Sequence, residues 1–95
     1  MRTTKPTSFP ADPVVTNAAV LGAAVRAART GAGLRLADAA ALLGVAKQTL
    51  SDLETGKPTV SLGLALKIAD GLGATLFVVP ATEREKTRRL LLEAR

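Results

Sequence analysis

Apolar residues return every three or four positions through most of this chain, the spacing that gathers them on one side of a helix. Val20, Leu21, Ala24, Val25 and Ala28 form the first such stripe, with Arg26 and Arg29 at its edge. It predicts a helix from Thr16 or Asn17, either of which can cap free backbone N–H groups, to about Thr30, closed by Gly31 and Gly33. Leu36, Ala39, Ala40 and Leu43 predict a second, shorter helix, and Leu50 and Leu53 a third, with Gly44 permitting the sharp turn between them. A fourth opens at Thr59 or Ser61. Its Leu62, Leu64, Ala65, Leu66, Ile68, Ala69 and Leu72 exceed the needs of one buried stripe, so part of that surface is expected to face a second protein molecule.

The period changes at Ala74. Thr75, Leu76, Phe77, Val78 and Val79 read as one strand, stopped by Pro80, and a lone strand must find its hydrogen-bonding partner outside this sequence. Beyond it, Thr82 and Glu85 have capping-box spacing and Glu85–Arg89 the favourable i,i+4 spacing, which predicts a short terminal helix ending in Leu90, Leu91 and Leu92. About 13 residues is marginal for an isolated helix, so this tail either docks or frays. Met1–Pro13 carries three prolines, three threonines and a serine with little apolar content, the composition of a flexible arm. Its Arg2 and Lys5 could reach a minor groove, although solvated disorder is the simpler reading. Three regions result: the arm Met1–Pro13, a helical domain with its strand over Val14–Pro80, and a helical or frayed tail Ala81–Arg95.

At 95 residues the chain has room for one small domain. Hydrophobic residues make up 47% of it but aromatic ones only 2%, so the core is expected to be thin and aliphatic. No apolar run approaches the roughly 18–20 residues of a membrane span, and MRTTKPTSFP lacks the apolar region of a signal peptide. A soluble, cytoplasmic protein is expected. Without Cys or His, the chain has no thiolate nucleophile, disulfide, imidazole base or familiar zinc ligand set. No catalytic constellation, metal or cofactor is expected, and Gly31-Ala32-Gly33 lacks the preceding strand of a phosphate-binding loop. The net charge of +5 is spread thinly: cations against anions number two to one in 1–13, six to four in 14–80 and five to three in 81–95. Charge alone does not announce a nucleic-acid partner.

The outward side of the third helix carries Lys47, Gln48, Thr49 and Ser51, a cation and three hydrogen-bonding groups of a size that enters a DNA groove. The run from Gly44 to Gly56, GVAKQTLSDLETG, resembles the recognition segment Gly-Val-Ser-x-x-Thr-Ile-Ser-x-x-Glu-x-Gly of Cro/C1 (Xre)-type helix-turn-helix domains, with the likeness extending from about Leu21 to Leu72. The Pro58–Leu62 entry to the fourth helix and the strand Thr75–Val79 are most similar to HipB-type antitoxins. The resemblance implies an all-α, lambda-repressor-like bundle of four to five helices plus one short C-terminal strand used for dimerisation. It also implies that Glu54 pairs with Arg29 to lock two helices together, the alternative of a catalytic acid lacking any partner carboxylate.

Two departures stand out. Arg35-Leu36 replaces the Thr-Gln that usually opens the second helix, so a backbone contact is lost unless Arg35 supplies it, and Ala46 replaces the capping Ser, worth on the order of 1 kcal/mol. Asp52 either accepts from cytosine N4 or is a solvated charge. The resemblance implies a homodimer on a palindromic double-stranded DNA operator, with Gln48 and Thr49 at bases, Lys47 and Ser51 at base or phosphate, and Arg35 and Lys57 at phosphate. It further implies an antitoxin and autorepressor, nucleoid-associated in a bacterial cytoplasm, whose partner is a HipA-like kinase toxin. The competing readings are a stand-alone phage-like repressor and an interaction module that has lost DNA binding.

Overall fold

Helix starts and stops in the computed structural model, which describes residues 4–95, follow from local chemistry at each junction. The first helix, α1 (Ala18–Gly31), begins where the Asn17 side chain accepts the Val20 N–H at 2.9 Å. After a turn come α2 (Leu36–Leu43) and α3 (Lys47–Glu54), joined through Gly44 at φ 69°; neither has a side-chain cap, as Arg35 and Ala46 occupy the cap positions. Ser61 caps α4 (Leu62–Gly71) by accepting from the Leu64 N–H. The last helix, α5 (Arg84–Glu93), grows out of a 3-10 turn over Ala81–Glu83.

The core is small and made of short side chains. Val25 from α1, Leu50 from α3 and Ile68 from α4 are its three largest fully buried members, with Ala39, Ala40, Ala65 and Ala69 filling between them. So many alanines force backbones close together. At Gly22 a side chain would run into the backbone carbonyls of Leu53 and Glu54, its Cβ lying only 2.8 Å from the Glu54 oxygen, so α1 and the end of α3 meet there with nothing between them. The turn after α3 is equally tight. Gly56, at φ 78°, would set a Cβ 2.7 Å from the Ala19 Cα.

Three regions differ from the sequence expectation. Residues 75–79 are exposed and form no regular structure, and among the described residues no ladder bond reaches them. A strand is defined by its partner, and the pairing expected for this one lies in a second copy. Thr82 does not cap α5 because it sits inside the 3-10 turn, and Arg88 bonds Glu85 at i,i+3, where Arg89 was expected at i,i+4.

The arm is the third. Thr7 N–H donates to the Thr30 hydroxyl at 2.9 Å, Asp12 pairs with Arg88 at 3.0 Å, and the Arg95 guanidinium donates to the Pro10 carbonyl at 2.8 Å. Polar partners from the end of α1 and from the far end of the chain supply what the arm's apolar content does not. The Val14 N–H and then Arg88 hold the Asp12 carboxyl below the usual carboxylate range. Arg2 lies outside the described residues, and Lys5 is exposed. No helix among the described residues is long and apolar enough to cross a membrane.

Candidate nucleic-acid interface

The face in question is built on α3, and α3 is held from behind. Leu50 and Leu53 point into the core, and Glu54 completes the attachment. Its carboxylate receives two parallel hydrogen bonds from Arg29, Nε to Oε2 at 2.6 Å and Nη2 to Oε1 at 2.9 Å, while Arg29 Nη1 donates to the Leu34 carbonyl at 2.8 Å. Both side chains are less than a tenth exposed. A charge pair this deep must satisfy its hydrogen-bonding groups to offset desolvation, and the fork geometry does so. One guanidinium thereby ties α1, the α1–α2 turn and the end of α3 together.

On the opposite side of α3, Lys47 and Gln48 are exposed, and Thr49, Ser51 and Asp52 are half-buried. The i,i+4 rows of a helix put Lys47 beside Ser51 and Gln48 beside Asp52. Thr49 falls in the row of Leu53, nearer the core than its neighbours. Asp52 has partners within the protein: its Oδ1 accepts from the Gln48 side-chain amide at 2.8 Å and lies 3.3 Å from the Lys57 ammonium. The Gln48 hydrogen bond, and then Lys57, hold its carboxyl below the usual carboxylate range against the opposing effect of partial burial. Backbone geometry puts Lys57 there, since its N–H donates to the Asp52 carbonyl at 2.9 Å as α3 closes through Gly56. Arg35 stands at the start of α2, exposed, with its Nε on Asp38 Oδ2 at 3.0 Å.

Gln48 and Lys57 thus meet on Asp52, with Lys47 and Ser51 on the adjoining row of α3. Asp52 was the residue whose part sequence reasoning missed. The signal available was its i+4 spacing from Gln48; the Lys57 contact depends on the turn.

Known proteins share this fold. Residues 20–81 match the helix-turn-helix domain family. A protein of Sinorhizobium fredii (strain NBRC 101917 / NGR234), described as the uncharacterized HTH-type transcriptional regulator y4mF, is 36% identical over 66 residues, covering 70% of this chain and 87% of that one. Among solved structures, a substituted HipB in complex with an O2 20mer superposes with a TM-score of 0.63 at 22% identity, over 72% of this chain and 94% of that one. A HipB–O4 20mer complex gives a TM-score of 0.63 at 20% identity, over 72% and 96%. At these identities the HipB structures speak to the fold, and the family match speaks to membership. This chain belongs to the helix-turn-helix domain family of transcriptional regulators.

Proposed function

We propose that this protein is a sequence-specific DNA-binding homodimer that serves as antitoxin and autorepressor of a HipBA-like operon in the bacterial cytoplasm, with no catalytic activity of its own. The observation that carries the DNA-binding part is the outward face of α3. Lys47 and Gln48 stand exposed on a helix whose other side is fixed by Leu50, Leu53 and the Arg29–Glu54 fork, a rigid reader with hydrogen-bonding groups outward. Gln48 contacts a base, joined by Thr49 where its half-burial allows, while Lys47 and Ser51 contact base or phosphate and Arg35 and Lys57 phosphate.

Dimerisation is supported by the apolar segment Thr75–Val79, whose Phe77 and Val78 are 71% and 99% exposed. Antiparallel pairing with its own copy would satisfy one edge of each strand in one two-fold contact and set two recognition helices in successive major grooves, roughly 34 Å apart. Val78→Pro should then split the dimer in light scattering, because Pro removes a ladder donor. The toxin surface is assigned to α4 and Thr82–Arg95, elements separate from α3 that leave Leu62, Leu66, Leu90 and Leu92 exposed. A HipA-like kinase and the operator therefore bind together. Co-expression with an adjacent kinase-like gene should restore growth and give a co-purifying pair, and Lys47→Ala with Gln48→Ala should abolish repression while leaving that pair intact. Loss of both functions in the double variant would put the toxin on the α3 face instead.

A further inference from the structure

We propose that Asp52 is a specificity-determining positioning residue: by taking one N–H of Gln48 it makes that side chain favour adenine over guanine at the contacted base pair. The inference rests on the DNA-binding reading above and deepens it.

The reasoning starts from what a carboxylate is able to do. Ionised, Asp52 only accepts hydrogen bonds, so the Gln48 side chain must turn its nitrogen toward Oδ1, at 2.8 Å. A flipped amide would press its carbonyl against the carboxylate. Gln48 is left with one N–H and one carbonyl for a ligand. In the major groove adenine offers one acceptor, N7, and one donor, the N6 amino group, which matches that remaining pair. Guanine offers two acceptors, N7 and O6. A free glutamine could meet guanine with both N–H groups of its amide; with one already on Asp52, Gln48 cannot.

Lys57 makes the arrangement tolerable beside DNA. Its ammonium lies 3.3 Å from the same Oδ1, so the anion beside Gln48 is neutralised where phosphates approach. The two partners also come from different sources, Gln48 from one turn earlier on α3 and Lys57 from the turn beyond it, so the carboxylate is fixed from both sides. Removing it therefore has two separable consequences. Gln48 regains both amide orientations and both N–H groups, which relaxes the choice of base. Lys57 is released and an anion is lost, which strengthens binding to any duplex.

The test is selection from a random-sequence duplex library by the full-length parent, Gln48→Ala, Asp52→Ala and Asp52→Asn. Titrations of the selected duplex and its adenine-to-guanine counterpart follow, with circular dichroism to establish that each variant is folded. The parent is expected to select adenine at a position where Gln48→Ala loses its preference, and to bind the guanine duplex at least ten-fold more weakly. Both Asp52 variants are expected to narrow that ratio to about two-fold while binding an unselected duplex more tightly than the parent does. A merely structural residue would weaken both duplexes together and leave the ratio alone. An unchanged adenine-to-guanine ratio in folded Asp52 variants overturns the proposal while the DNA-binding reading survives; a parent that enriches no sequence overturns both.

Discussion

Two acidic residues two positions apart on α3 have opposite surroundings. Glu54 is buried with Arg29 in a bidentate fork, and nothing about it is free to rearrange. Asp52 sits at the surface, holding a neutral amide and a Lys57 side chain that is 58% exposed, through single contacts to one oxygen. The difference teaches that the same carboxylate chemistry fixes the frame at one depth and adjusts the reading face at another. Deep in the protein, breaking a pair strands a charge; at the surface, water and salt replace the lost partner and only orientation is forfeited.

That contrast is broken most directly at the buried end. Glu54→Ala leaves Arg29 unpaired and should cost about 3–5 kcal/mol in chemical denaturation. Arg29→Lys should recover little of this, because an ammonium cannot make the two parallel bonds and also reach the Leu34 carbonyl. If either variant unfolds within about 0.5 kcal/mol of the parent, the usual range for surface substitutions, the fork is not what holds α3.

Gln48→Ala should do the reverse, leaving stability within about 0.5 kcal/mol while discrimination at one base pair falls by about 1–3 kcal/mol. Measuring melting and operator binding on the same preparation sharpens the comparison, since a variant that lost both would show the two sides of α3 to be coupled. Smaller still is Lys57→Ala, expected to weaken all duplexes alike and to lower the slope of log K against log salt by about one per half-site.

Much of the frame is readable from sequence alone because its determinants are local. The stripe ending at Ala28, the Asn17 cap and the glycine after each of the first two helices mark α1 and α2 with no knowledge of the partner elements. The Arg29–Glu54 pair is different: it spans 25 residues, and only resemblance to a family named Arg29 in advance. Least legible were contacts that depend on side-chain choice or on distant chain ends. The Asp12–Arg88 pair links residues 76 apart, and composition reads the arm as free because it counts apolar content and not polar partners. Thr82 failed as a cap because Pro80 starts a 3-10 turn that absorbs it. On the candidate face, residue type picked out Gln48 and Lys57, but their shared oxygen on Asp52 follows from how the chain closes at Gly56.

The smallest expected effect concerns acid. Asp12 and Asp52 both have folded-state pKa values lowered from 3.8, so each adds stability that is present above about pH 3.8 and lost as the pH falls below it. Melting followed downward from pH 7 should show no contribution from these two groups to any decline until near pH 3.8. Asp12→Asn should remove part of the acid-side loss, and an unchanged profile would show that the arm's attachment to α5 adds no stability.

The most direct test of the central claim, that the outward face of α3 reads DNA, is fluorescence anisotropy with the duplex upstream of this protein's own reading frame. A scrambled duplex of the same composition, at fixed salt, supplies the reference. The parent should bind the native duplex more than ten-fold tighter than the scrambled one, and Lys47→Ala with Gln48→Ala should bind both alike while melting as the parent does. Equal binding of the two duplexes by the parent, or an undiminished preference in the folded double variant, would contradict it.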